Sequence, residues 1–326
     1  MFDYEDREIP QSKKDHTILG IQRIGICGTD LHAFEGTQPY FQYPRVLGHE
    51  LAAVIEETGA GDFQKGEPVT FIPYLHCGDC IACRNGKTNC CVSLKVCGVH
   101  IDGGMTEYFS VPSALLLHCE GLGLDELALV EPLAIGAHAA RRANVSSNEF
   151  VLVMGAGPIG IGTMEFIRIA GGRVIAMDVN EDRLNVCKEK FGLDHIVHAG
   201  KGDEGEQLKE ITHGDMPTVV IDATGNLAAI NKGFEYMAHG GSYVLVGLQK
   251  GNISFSHPEF HKREANLMSS RNATKKDFAY VIDCIKNRLI DPSNYVTHRM
   301  AFDQVKEKFA ELLNPANRII KAMINL

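Results

Sequence analysis

The sequence predicts an α/β protein in two parts, a mainly β part and a doubly wound parallel sheet, and three observations predict it. Residues 149–269 alternate short apolar runs with helical stretches, the order of a parallel sheet with crossover helices. Residues 46–55 and 69–74 are instead short apolar runs set among frequent glycines and prolines, which reads as a mainly β barrel. The third observation is size: 326 residues, 44% hydrophobic and 22% charged, suffice for two domains that each bury a core.

In the alternating region, FVLVM at Phe150–Met154 has the apolar pattern of a buried strand, and GAGPIG then opens a helix that runs to about Ala170. Gly155, Gly157 and Gly160 form G-x-G-x-x-G in the strand, turn and helix setting that a dinucleotide fingerprint requires. Gly155 makes the tight turn, Gly157 lets the backbone approach a pyrophosphate, and Gly160 lets helix and strand pack closely. Pro158 and Ile159 lie between them, at the positive end of the helix, and join the expected cofactor contacts. A second strand over residues 173–177 leads into Asp178, placed to accept hydrogen bonds from the adenosine ribose hydroxyls. That carboxylate repels a 2′-phosphate and no Arg directly adjoins it, so NAD is expected rather than NADP. Strands expected over 195–198, 218–222, 242–246 and 265–269 complete a sheet of six. Thr224, Gly225 and Gly247 follow strand carboxyl ends, the edge at which ligands sit in such sheets, and belong to the same expected cofactor site.

HCGDCIACRNGKTNCC, residues 76–91, holds five of the ten cysteines. Cys77, Cys80, Cys83 and then Cys91 give C-x2-C-x2-C-x7-C, so four thiolates can wrap one ion. Zinc takes a closed tetrahedral sulfur shell at structural sites and keeps a position open at catalytic ones, so this cluster predicts a structural zinc. A thioredoxin-like redox pair fits less well, since three cysteines follow in series without that motif's strand-to-helix setting. Cys90 and Cys91 are adjacent, and spacing alone permits either as the fourth ligand.

The remaining bounds are negative. No run of about 18 apolar residues is present, and MFDYEDREIPQSKKDH is acidic and polar rather than a signal peptide, so a cytoplasmic protein with no membrane partner is expected. A net charge of −9 and a pI near 5.9 argue against a nucleic-acid partner, which binds through clustered Lys and Arg. Cytosolic thiols stay reduced, which favours metal over disulfides for the cysteines.

Outside the cluster, GICGTDLH carries Cys27 and His32, YPRVLGHE carries His49 and Glu50, and LVEPLAIGAH carries Glu131. Thiolate, imidazole and carboxylate so far apart suit a catalytic site assembled from distant segments. These motifs, with GGMTEY, VMGAGPIGIG and IDATGN in the same order, resemble the zinc-dependent medium-chain dehydrogenase/reductase superfamily over nearly the whole chain. Within it, TQPYFQYPRVLGHE, GVHIDGGMTEYFSVP and HPEFHKREANLMSSRNAT are most similar to bacterial L-galactonate and L-gulonate 5-dehydrogenases.

The resemblance implies a GroES-like catalytic domain over residues 1–134 and 271–326 and a Rossmann NAD-binding domain over 135–270. It makes Cys27, His49 and Glu50 ligands of a catalytic zinc, with Glu131 a further ligand or the holder of a zinc-bound water; which of Glu50 and Glu131 binds directly varies among relatives, so both are named, and the resemblance selects Cys91 over Cys90 for the structural zinc. It gives Thr29 a hydrogen bond to the substrate hydroxyl, and His32 can pass the proton outwards. Arg271 and Asn272 fall where relatives approach nicotinamide and substrate, and Gln38, Tyr40 and His100 are candidate substrate contacts. The implied reaction moves hydride from a secondary alcohol of a sugar acid to NAD. A neutral polyol or L-threonine is the alternative substrate, and a catalytically silent dinucleotide-binding regulator the alternative from another class. A homo-oligomer, dimer or tetramer, is implied as well.

Overall fold

The computed structural model describes residues 2–38, 41–59 and 63–326, and the chain divides into two compact units. One comprises Met1–Pro132 with Thr274–Leu326, the other Leu133–Ala273. Among the described residues no helix is long and apolar enough to cross a membrane.

The first unit runs β1 (His16–Ile26), α1 (Gly28–Glu35), β2 (Glu50–Glu57), β3 (Pro68–Phe71), β4 (Tyr74–Leu75), α2 (Ile81–Arg84), β5 (Lys95–Val96), β6 (Tyr108–Pro112) and β7 (Leu116–Leu117). Helix α3 (Leu124–Ala143) then carries the chain across the division at Pro132. The second unit alternates β8 (Phe150–Met154), α4 (Pro158–Ile169), β9 (Arg173–Asp178), α5 (Glu181–Glu189), β10 (His195–His198), α6 (Glu204–Ile211), β11 (Val219–Asp222), α7 (Leu227–Gly233), β12 (Ser242–Leu245), α8 (His257–Lys262) and β13 (Asn266–Ser269). The return adds α9 (Lys275–Lys286), β14 (Val296–Ala301), α10 (Val305–Lys308) and β15 (Lys321–Asn325) to the first unit.

In the first unit one sheet takes the order β14-β15-β1-β2-β3-β7, with β6 also pairing β1, while β4 and β5 form a separate pair. Its core gathers Leu19, Ile21, Ile24, Leu51, Ile55, Phe71 and Ile324, all at or below 2% exposure. The last strand is part of the centre: β15 lies against β1 with Ile26 opposite Ala322 and Gly25 opposite Met323. This register brings the chain's far end beside the segment that leads into Cys27.

In the second unit six parallel strands take the order β10-β9-β8-β11-β12-β13, a doubly wound sheet. Central strands covered on both faces need apolar residues at successive positions rather than alternation, and β8 and β11 read FVLVM and VVID accordingly.

Candidate active site

Strand β1 ends at Ile26, and Cys27 follows as the N-cap of α1. The Asp30 carboxylate accepts the Cys27 backbone N–H at 2.9 Å, a reciprocal cap that fixes the start of the helix. Glu50 opens β2 directly opposite Gly25 of β1. A Cβ at Gly25 would sit 2.3 Å from Glu50 Oε2, so only glycine lets this carboxylate lie across the neighbouring strand. His49 and Glu50 are buried and Cys27 is half-buried, and one ligand atom from each lies within 4.8 Å of the others.

The charges in this group call for a cation. Burial works against a charged His49, yet Asp30, Cys27 and Glu131 around it prevail and hold its pKa well above the ordinary value. His49 Nδ1 and Asp30 Oδ1 are both buried without a hydrogen bond, 3.8 Å apart. Asp30 thus faces one imidazole nitrogen and leaves the other for an ion, the carboxylate-histidine arrangement that orients metal ligands. Burial, and then the charge of Glu50, raise the Glu131 carboxyl to about 7 against the opposing pull of His49. Thiolate, imidazole and carboxylate in one dry group fit zinc.

Lys321 of β15 completes the surroundings. Its Nζ donates to both Glu50 oxygens, at 2.6 and 2.7 Å, and to the Ile26 carbonyl at 3.1 Å, with the side chain 2% exposed. Each carboxylate oxygen has lone pairs beyond those used by Lys321, so the ion pair leaves Glu50 able to ligate. Tyr74 of β4 donates its hydroxyl to Glu131 Oε1 of α3, both residues being buried.

The four-cysteine loop closes the β4 and β5 pair. Its sulfurs approach at 3.5 Å for Cys80 and Cys83, 3.5 Å for Cys77 and Cys91, and 3.9 Å for Cys77 and Cys83. Zinc–sulfur bonds of about 2.3 Å in a tetrahedron put the sulfurs about 3.8 Å apart, so the loop matches a closed sulfur shell. Cys91 is buried within this group, and the backbone N–H of Cys77 draws its pKa down to about 6. Cys90 is exposed and outside it.

In the second unit, Gly155, Gly157, Pro158, Ile159 and Gly160 run from the end of β8 into the first turn of α4. A Cβ at Gly160 would come within 1.8 Å of the Gly155 carbonyl oxygen, so any side chain there would force helix and turn apart. At Gly157 the equivalent position is open, which is the space a pyrophosphate needs. Asp178 ends β9, accepting from Ala156 N at 2.6 Å and Asn180 N at 2.8 Å. The expectation that no Arg stands beside it needs correction, because the first turns of α5 bring Arg183 to 4.0 Å. Thr224, Gly225 and Gly247 meet over Asp222, whose carboxylate accepts from Thr224 N at 3.2 Å and Gly225 N at 3.3 Å. Gly247 N bonds the Asp222 carbonyl at 3.0 Å.

The other expected contacts are scattered. Thr29 is half-buried in the first turn of α1, and His32 faces solvent beside Glu35 at 3.4 Å and Thr37 at 3.2 Å. Gln38 N bonds the His32 carbonyl at 3.2 Å, while Tyr40 lies outside the described residues. His100 Nδ1 accepts from Val96 N at 3.1 Å, which ties that ring to the turn after β5. Arg271 and Asn272 fall in the second unit, just past β13, where Asn272 Nδ2 is buried without a hydrogen bond.

Four residues escaped the sequence reading: Asp30, Tyr74, Asp222 and Lys321. Lys321 had a signal, a single charge inside the apolar run IIKAMI. Asp30 had another, three residues after Cys27 at a capping-box position.

Two family models match the chain, an alcohol dehydrogenase GroES-like domain over residues 13–121 and a zinc-binding dehydrogenase over residues 158–287. The chain is 42% identical over 323 residues to L-galactonate-5-dehydrogenase of Escherichia coli K12, covering 98% of this chain and 95% of that protein. It is 27% identical to a sorbitol dehydrogenase of Bacillus subtilis, over 98% and 93% of the two chains. Among solved structures it superposes on the alcohol dehydrogenase RspB of E. coli CFT073, complexed with NADH, with a TM-score of 0.91 and 31% identity over 98% and 94% of the chains. The chain belongs to the zinc-dependent medium-chain dehydrogenases.

Proposed function

We propose that this chain oxidises a secondary hydroxyl of a sugar acid of the L-galactonate or L-gulonate type, giving the keto acid, with NAD as hydride acceptor. The reaction class is carried by the group of Cys27, His49 and Glu50, whose ligand atoms converge within 4.8 Å. Zinc bound there supplies Lewis acidity that lowers the pKa of a substrate hydroxyl. The chain's own residues do the rest. Asp30 orients His49, Lys321 balances Glu50, and Thr29 relays the hydroxyl proton, giving up its own as it accepts the substrate's, with solvent-facing His32 as the exit. NAD bound at the glycine turn would accept the carbon's hydride, so that one alcohol and NAD would become one ketone, NADH and a proton. Asp178 accepts from the ribose hydroxyls and disfavours a 2′-phosphate, and Arg183 beside it leaves this preference moderate rather than absolute.

The sugar-acid substrate is supported by the 42% identity to L-galactonate-5-dehydrogenase. A neutral polyol is the second reading, supported by the sorbitol dehydrogenase at 27%. Aldonates, polyols and L-threonine offered separately with NAD, and read as NADH absorbance, test both. Turnover of L-galactonate or L-gulonate above the others is expected, and activity on polyols without activity on aldonates overturns the substrate assignment. A homo-oligomeric enzyme in the cytoplasm belongs to the same proposal, in keeping with the acidic balance and thiols arranged for metal.

A further inference from the structure

Tyr74 has no part in the reaction as set out above, yet its hydroxyl reaches into the catalytic group. It donates to Glu131 Oε1, and both residues are 4% exposed. Its ring packs edge-on against Phe278 of α9 at 6.0 Å, and its backbone pairs with Val96 across β4 and β5. The loop closing that pair is the four-cysteine lobe, and Cys77 stands three residues beyond Tyr74. Glu131 is outside the group whose ligand atoms converge, which holds Cys27, His49 and Glu50. A carboxylate this deeply buried needs a donor, and the donor here comes from the lobe's own strand rather than from the catalytic group.

We propose that Tyr74 is a positioning residue whose phenol holds the Glu131 carboxylate apart from the Cys27, His49 and Glu50 group, so that three side chains, not four, face the catalytic ion. The lobe then has a role in the reaction: by clamping β4 and β5 it fixes the phenol, and through the phenol the carboxylate. The proposal rests on the metal reading given above.

Cobalt(II) is the probe, exchanged into the catalytic position of the full-length enzyme with zinc retained in the lobe. Its visible bands weaken when a fifth ligand joins four, so they report on the freedom of Glu131. Tyr74→Phe removes the hydroxyl and keeps the ring on Phe278. It is expected to change the cobalt bands and to lower kcat by about 10–100-fold, the effect typical of groups that orient metal-site side chains. In a Glu131→Gln background the same substitution is expected to change the bands no further. Bands unmoved by Tyr74→Phe, or moved equally with Gln at position 131, overturn the proposal. Glu131→Gln alone tests it should Tyr74→Phe fail to fold. Bands like those of the parent enzyme are expected, and bands altered by that amide overturn the proposal by making Glu131 a ligand. Cys27→Ser separates the two failures: if it keeps the catalytic cobalt, the metal reading fails, whatever Tyr74 does.

Discussion

The four thiols of the lobe come from one loop between β4 and β5, whereas Cys27, His49 and Glu50 come from around the ends of β1 and β2, and Glu131 from α3. The lobe lies partly in solvent, with Cys77 exposed, and it satisfies an ion with one kind of donor. The proposed catalytic group, with His49 and Glu50 buried and Cys27 half-buried, mixes three kinds of donor, so it has charges that its own members cannot balance. Asp30 stands beside His49, Lys321 pairs with Glu50, and Tyr74 donates to the neighbouring Glu131, each from a different element. A closed structural site is thus a local matter of spacing, while an open reactive one is bound to the whole domain that surrounds it.

The sharpest way to break this comparison is to remove one thiol from each side. Cys27→Ser is expected to lose one of two zinc ions and to reduce kcat/KM about ten-thousandfold, as loss of a Lewis acid's several kcal/mol implies. Cys91→Ser is expected to lose the other ion and to lower the melting temperature. Its kcat should fall by no more than about the 10–100-fold expected of an orienting group such as Tyr74. Cys90→Ser should do neither. Metal content by atomic absorption together with steady-state rates distinguishes these outcomes, and equal kinetic losses from Cys27→Ser and Cys91→Ser would remove the distinction drawn here.

Lys321→Met tests the charge balance next. Breaking a buried ion pair from one side costs about 3–5 kcal/mol, because the remaining charge stays desolvated. Lys321 is 2% and Glu50 0% exposed at the side chain, so little solvent is on hand to compensate. Urea unfolding should show that loss in the metal-free enzyme, and added zinc should recover part of it by supplying Glu50 with another cation. A variant as stable as the parent without zinc would mean that the pair does not balance Glu50.

These contrasts explain what the sequence made legible. Apolar runs with glycine turns announced the doubly wound sheet because each βα unit is local, and β8 and β10 have the expected bounds. The lobe was legible for the same reason, its ligands being close in sequence. The proposed catalytic group was read through resemblance, since nothing in a spacing of 22 residues says that Cys27 meets His49. The lone charge in IIKAMI marks Lys321, but its partner lies beyond reach of either route: it meets Glu50 because β15 returns to pair with β1, a register set by packing over the whole first unit. Tyr74 escaped because an aromatic residue in a short apolar run reads as core, and its ring does pack on Phe278.

The smallest expected effect comes from an ion-pair set that is the exposed counterpart of Glu50 and Lys321. Arg299 of β14 and Arg23 of β1 both reach Asp125 in the first turn of α3, Arg23 at 3.0 Å, and the Asp125 side chain is 41% exposed. The Arg299 hydrogen bond, aided by Arg23, holds the Asp125 carboxyl below the usual carboxylate value. Because the folded pKa is depressed, the unfolded chain binds this proton more readily. The stabilisation is therefore complete above about pH 4, where the unfolded carboxyl ionises, and is lost as pH falls through the folded value. Solvent screening at such exposure leaves about 0.2–1 kcal/mol for an ion pair, far below the buried one. Asp125→Asn should then lower stability slightly at pH 7 and flatten the acid limb, with the two proteins converging towards pH 2. Urea midpoints at both pH values check this, and a difference that persists unchanged at pH 2 would assign it to packing or capping of α3 instead of charge.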